Sequence, residues 1–302
     1  MFEKLFNEIG TVETKLIKTK RTYLDAASKY ELLANKYEEK NPEMCSNCAM
    51  CYSGCSKMYK EAGEIYLSVS YGLKSIRLFM KAAEYFYTNA QMLKSLYLDN
   101  ISNALQVFNN IQTLLINDGK IVIAVNLMSE IGKYLTKFEL HDDAGNLYSK
   151  GVAICINNAL PPSILFSITF MALQELCIAD RLDLADILID NVQRTYKGES
   201  VTPISKSDLL AEKLKELRIY KSILLMMSYK KNECMQFTQS NLDTDSLSFF
   251  EELCDATMEN QLPIVDSLVR SAGDNSEFVE GHILLLKKHV ESMAKSLENK
   301  KD

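Results

Sequence analysis

Four cysteines are the residues best placed to do chemistry. Cys45, Cys48, Cys51 and Cys55 run as C-x2-C-x2-C-x3-C, the spacing of a bacterial-type segment whose thiolates hold an iron–sulfur cluster. Two features oppose that reading. Ser56 stands where such a run continues with proline, and the other four cysteines, Cys155, Cys177, Cys234 and Cys254, form no second cluster. The same spacing also fits a helix. Steps of +3, +6 and +10 fall within about a third of a turn of one another, giving an apolar stripe continued by Met58, Ala62 and Ile65. A free thiol packs as a small hydrophobe. On one straight helix the four sulfurs would spread over ~15 Å and could not close around an ion at ~2.3 Å. The stripe is therefore taken as packing, and no metal or cofactor is expected.

No other constellation converges. His141, His282 and His289 are isolated in sequence. His282 and His289, seven apart, share a helical face and are expected at exposed positions. Phosphate-loop, H-E-x-x-H and G-x-S-x-G patterns are absent. The pairs Asp142-Asp143 and Glu251-Glu252 are assigned to helix starts, where carboxylates complement the helix dipole. A non-enzymatic protein is expected.

Charge and segment composition narrow the class. A net charge of −6 and a pI of about 5.3 lack the basic footprint of a nucleic-acid binder. Lys15, Lys18, Lys20 and Arg21 close a first amphipathic helix over 3–22 and are read as a solvated, dipole-favoured end. The opening MFEKLFNEIG carries charges where a signal peptide needs an apolar run. The apolar stretch between Asn158 and Glu175 is 16 residues with two prolines, short for a bilayer span. Eight cysteines without a secretory signal are expected as free thiols in the cytoplasm. Asn100-Ile101-Ser102 matches a glycosylation sequon that would matter only outside the cytosol.

Helices must position whatever the chain does. Eleven glycines and five prolines in 302 residues, with no sustained alternation, favour long helices over strands. Between residues 100 and 197, breaks at Asn117-Asp118-Gly119, His141-Asp142-Asp143, Pro161-Pro162 and Asp180-Arg181 divide five helices of nearly equal length. Breaks about 20 residues apart make pairs of about 40, the period of stacked helical hairpins. Ile121, Ala124, Met128, Ile131 and Leu135 share one face. Ala144, Leu147, Tyr148, Gly151 and Ile154 do likewise, as do Leu182, Ala185, Ile189 and Val192. Ala124, Ala144 and Ala185 are small enough for close backbone approach. Residues 163–179 are apolar almost all round, as a helix covered on both sides requires.

Around that array, residues 23–40 read as a helix with Ala26, Tyr30, Leu33 and Tyr37 in register, ended by Asn41-Pro42. Residues 72–97 read as another, facing inward through Ile76, Phe79, Ala83 and Phe86. A polar linker occupies 198–206, separating hairpin repeats over 1–197 from a helical cap over 207–302. In the cap, a helix over 207–228 starts at Ser207 with Leu210, Leu214, Leu217 and Lys221 in register. Residues 230–245 read as a loop. Ser246 is expected to cap a helix facing inward through Leu247, Phe250 and Cys254. A short helix from Pro263 and a long one over 278–297 complete the cap. The fold expected is all-α: a single solenoid, a right-handed superhelix of tetratricopeptide-like antiparallel helix pairs with a helical C-terminal cap.

Two segments carry a family resemblance. Residues 26–86 run AASKYELLANKYEEKNPEM and on to KAAEYF: a tyrosine-bearing helix, a Cys/Ala-rich helix, Glu61-Ala62-Gly63-Glu64, then an Ala/Phe helix. Residues 103–176 run NALQVFNNIQTLL through to FMALQEL. In order, helix length and turn position they resemble the 40-kDa huntingtin-associated protein family. The helix around Phe249-Phe250-Glu251-Glu252-Leu253, followed by Leu262–Val269, is similar too. The four-cysteine run departs from the family, whose corresponding positions look small and apolar. The resemblance implies a non-enzymatic adaptor that binds and stabilises huntingtin, a very large HEAT-repeat protein. It also implies a link to early endosomes through a Rab-class small GTPase, with the cytoplasm, early endosome and nucleus as compartments. Phe249, Glu251 and Glu252 are the expected partner-binding residues. A second resemblance, through Gly119-Lys120-Ile121-Val122-Ile123-Ala124 to Tyr148, is to the soluble adaptors that recruit a hexameric ATPase to disassemble vesicle-fusion complexes.

Overall fold

A computed structural model describes residues 19–37, 44–89, 94–196, 207–242, 244–275 and 278–298. Among these the chain is all-helical and has no strand. Thirteen helices succeed one another in order: α1 (Lys20–Tyr37), α2 (Cys45–Glu61), α3 (Ile65–Asn89), α4 (Lys94–Asn117), α5 (Ile121–Lys137), α6 (His141–Asn157), α7 (Pro162–Ile178), α8 (Leu182–Thr195), α9 (Ser207–Met227), α10 (Lys231–Asn241), α11 (Thr244–Met258), α12 (Leu262–Gly273) and α13 (Glu280–Glu298). They group into two compact units, Met1–Leu127 and Met128–Asp302, divided within α5.

One turn recurs seven times among the described residues. Gly63, Gly119, Glu139, Ala159, Asp180, Tyr229 and Asn260 all take positive φ, between 48° and 78°. Each donates its N–H three residues back, and the next residue donates five residues back. Leu140, for instance, reaches the Leu135 carbonyl at 3.0 Å and Lys120 the Leu115 carbonyl at 2.8 Å. This is the Schellman arrangement, which satisfies the orphan carbonyls of a helix end. The next helix then begins within one or two residues, so consecutive helices fold back antiparallel. The turns at 119, 139, 159 and 180 are spaced 20, 20 and 21 residues apart, so α5, α6 and α7 all have the same length of 17 residues.

In the first unit, small side chains set the register. Cys48 Sγ faces the Ala34 carbonyl at 3.6 Å and Cys55 Sγ faces that of Ala27 at 3.4 Å. A step of seven along α2 thus matches a step of minus seven along α1, the mark of an antiparallel pair. α2 and α3 repeat the device. Ser56 donates to the Ser68 carbonyl and Ser68 to the Ser56 carbonyl, both at 2.8 Å, while Ser75 donates to Ala49 at 2.7 Å. Only short side chains can bond across to the opposing backbone, so these residues also fix how closely the helices approach. Ala26, Ala27, Tyr30, Leu33, Cys51, Tyr52, Cys55 and Met58 are buried between α1 and α2.

The second unit is crossed by rings. Phe166 and Phe170 of α7 stack at 6.0 Å, Phe170 on Tyr220 of α9 at 5.7 Å, and Tyr220 meets His282 of α13 edge-on at 4.3 Å. His282 touches Phe278, which packs on Phe249 and Phe250 of α11. As expected, α7 is covered on several sides, packing against α6, α8 and α13. Ala144 and Ala185 are fully buried. Packing is also close at Gly132, where an added Cβ would lie 2.3 Å from the Tyr148 ring.

Several expected boundaries change. The turn at Ala62-Gly63-Glu64 ends α2 at Glu61, so Ile65 opens α3 instead of extending the cysteine stripe. The helix expected over 72–97 is α3 from 65 to 89, and residues 94–97 belong to α4. Residues 3–18 lie outside the described residues. Lys20 and Arg21 start α1 instead of ending an earlier helix, and Thr19 and Thr22 bond reciprocally there in the manner of a capping box. Residues 198–206 also lie outside the described residues, but α8 packs on α9 and α7 on α13, so helices from both sides of that segment share one core. The loop expected over 230–245 contains α10, an 11-residue helix. Helix α11 starts at Thr244, leaving Ser246 a buried interior residue instead of a cap.

Candidate interaction surfaces

The cysteine run forms a stripe, with Cys45, Cys48, Cys51 and Cys55 all buried on α2. Burial, and then the neighbouring Cys48, pushes the Cys51 thiol up to about 12. Burial, and then Glu31, raises that of Cys55 further. Thiols held protonated are poor metal ligands and poor nucleophiles. Among the described residues, no group of three or more His, Cys, Asp or Glu side chains is placed to hold a metal ion. Beside the stripe, Tyr71 stacks on Tyr59 at 5.3 Å and on Tyr52 at 5.8 Å, and its hydroxyl donates to Glu31. Lys74 Nζ lies over the Tyr52 and Tyr71 rings. The cluster ties α1, α2 and α3 together.

The histidines correct the sequence reading. His282 and His289 are buried, at 0% and 3% exposure, not exposed. His282 accepts the Val279 N–H at Nδ1 (3.2 Å) and donates from Nε2 to the Glu216 carbonyl at 3.0 Å, the neutral tautomer. His289 Nε2 lies 3.3 Å from the Thr257 hydroxyl. Burial lowers both to a pKa of about 4. His141 is not isolated. Its Nδ1 sits 2.7 Å from Oε2 of Glu175, a buried carboxylate on the apolar helix α7. Nearby, Arg181 bonds Asp142 at 2.8 Å, and Lys288 of α13 caps the end of α7 through the Cys177 and Ile178 carbonyls. These contacts pin helix ends together and assemble no nucleophile with a base.

Of the residues expected to meet a partner, Glu251 and Glu252 are exposed, but they stand in the middle of α11 and not at its start. Phe249 is half-buried against Phe250 and Phe278, at 5.5 and 4.9 Å, so it belongs to the ring chain of the second unit. Asp142 and Asp143 do occupy a first turn. The sequon asparagine, Asn100, is buried and donates to the Leu96 carbonyl, which closes it to a glycan in the folded chain.

Sequence reasoning missed an apolar edge on the first unit. Tyr66 and Leu67 at the start of α3, with Val122 and Ile123 at the start of α5, are exposed by 76, 41, 40 and 48%. Lys120 Nζ lies 3.9 Å above the Tyr66 ring, which brings the two helix starts together. The Lys20–Glu64 pair borders the same end. The signal is present in sequence: each apolar pair comes just after a glycine turn, in the first turn of a helix. On one side of this unit, Lys57 and Lys60 of α2 face Gln106 and Asn110 of α4 across a polar cleft of about 370 Å³. In the second unit, Asp186 and Asp190 hold the nearly buried Lys221 ammonium beside Glu233, in a more open cleft of about 500 Å³.

No helix among the described residues is long and apolar enough to cross a membrane. No protein-family model matches the chain, and no curated protein does so either.

Proposed function

We propose that this chain is a non-enzymatic helical adaptor, a right-handed superhelix of tetratricopeptide-like pairs with a helical C-terminal cap. Its partner, by the family resemblance, is huntingtin, which it holds and stabilises and links to early endosomes through a Rab-class small GTPase. The observation that carries the reading is the exposed edge of Tyr66, Leu67, Val122 and Ile123 on the first unit. Four large apolar side chains are exposed at two helix starts that the Lys120–Tyr66 contact links, and exposed apolar surface of this kind marks a protein-binding site. The buried polar groups, by contrast, are committed to tying helices together. Glu251 and Glu252 supply an exposed acidic pair for a basic rim on the partner.

The test is affinity capture from cell extract with the wild-type chain and a Tyr66→Ala/Ile123→Ala variant. Recovery of the large HEAT-repeat protein by the wild type, weakened at least tenfold by the double variant at unchanged thermal stability, is expected. Recovery of a hexameric ATPase with fusion-complex helices instead would place the chain with the disassembly adaptors and overturn the reading. A chain dedicated to one large partner is further expected to be poorly soluble when expressed alone.

A further inference from the structure

Cys234 of α10 and Cys254 of α11 are both fully buried, with their sulfurs 3.6 Å apart. The Cys234 sulfur also faces the Ser222 carbonyl at 3.3 Å and the Thr238 hydroxyl at 3.9 Å. In the cysteine run, Cys48 and Cys55 instead donate to backbone carbonyls of α1. Helix α10 is the thinnest cover in the second unit: of its 11 residues only Cys234 and Thr238 are buried. A helix with so little buried apolar surface opens locally at lower cost than the elements around it.

We infer that Cys234 and Cys254 form a dithiol that hydrogen peroxide closes to an intrachain disulfide between α10 and α11. Cys234, carried on the thin helix whose local opening admits peroxide, is the attacking sulfur. The Cys254 S–H, aimed at it, holds the Cys234 thiol below the ordinary range, while the same contact and burial raise that of Cys254. The Cys234 thiolate attacks one peroxide oxygen and the O–O bond breaks. Sulfur keeps that oxygen as a sulfenic acid, and the other oxygen leaves as hydroxide, which takes the proton released by Cys234 and becomes water. The Cys254 sulfur then attacks the sulfenic sulfur, the S–S bond forms and the S–O bond breaks. The departing hydroxide takes the Cys254 proton as a second water. Two thiols are oxidised and one peroxide is reduced to two waters. The bridge joins residues 20 apart in sequence and locks the thin helix to the helix that carries Glu251 and Glu252.

The experiment treats the reduced, full-length chain with hydrogen peroxide under native conditions, then alkylates in denaturant and maps peptides by mass spectrometry. The expected result is a fall from eight free thiols to six, with a 234–254 linkage formed before any other and reversed by dithiothreitol. Cys254→Ser is expected to stop at a sulfenic acid on Cys234, trapped by dimedone. Eight thiols surviving until the chain unfolds, uniform loss over all eight, or first linkage between another pair would each overturn the inference. The wild-type map decides the matter even where a variant fails to fold.

Discussion

Acidification is expected to weaken the second unit through two residues. His282 and His289 are buried and neutral, each with a pKa near 4 in the folded chain against the ordinary 6.5. Between those values the unfolded chain takes up protons that the folded chain refuses. The stability each histidine contributes is therefore complete above pH 6.5 and is lost as pH falls towards 4. A pKa lying about 2.5 below the ordinary value, at ~1.4 kcal/mol for each pH unit, corresponds to about 3.5 kcal/mol per histidine. Roughly 2 kcal/mol of that is gone by pH 5, so the pair together removes about 4 kcal/mol, a large part of a typical stability of ~5–15 kcal/mol. Urea unfolding monitored by circular dichroism at pH 7.5, 6 and 5 measures this directly. A His282→Asn/His289→Gln variant starts from lower stability at pH 7.5, having lost packing and the bonds to Glu216 and Thr257, but its decline between pH 7.5 and 5 is shallower by about 4 kcal/mol. Parallel declines in the two proteins would refute the reasoning, because the acid sensitivity would then reside in other groups.

Further substitutions probe the packing. Gly281→Ala would place a Cβ 1.8 Å from the Tyr220 hydroxyl; displacing that ring from the His282 contact is expected to cost ~2–3 kcal/mol, read as a lowered urea midpoint. Ala159→Gly relieves an alanine held at φ 48° and is expected to stabilise by about 1 kcal/mol, visible as a raised thermal midpoint. Ser68→Ala removes a hydroxyl that donates to the Ser56 carbonyl and lies beside the Ser56 hydroxyl, at ~1 kcal/mol. The Ser56→Ala/Ser68→Ala double variant is expected to lose less than the two single losses combined, in a double-mutant cycle.

Sequence is most informative where backbone chemistry is local. The α5, α6 and α7 limits come from Asn-Asp-Gly, from the acids after His141 and from Pro161-Pro162. The turns at Glu139 and Ala159 carry no glycine, so the sequence marks those breaks one or two residues late. Helix α10 is illegible because KNECMQFTQSN holds only two buried residues, one turn apart, too few for a periodic signal; its helicity comes from what it covers. The cysteine run is legible as a stripe because its spacing is a property of one helix. The histidines are not, because their surroundings are assembled from α9, α11 and α13, and Glu216 lies 66 residues from His282 in sequence. The same limit hides the His141–Glu175 pair and puts Glu251 and Glu252 at a helix start they do not occupy.

The seven Schellman turns leave almost no slack between helices. Deleting one residue in such a turn would rotate everything downstream by ~100° about the next helix axis, carrying a greasy face into water. Removing about 20 residues, one helix with its turn, reverses the direction of all the later helices, and only a step of about 40 restores both phase and direction. Natural length variants of this protein are therefore expected to differ by whole hairpins.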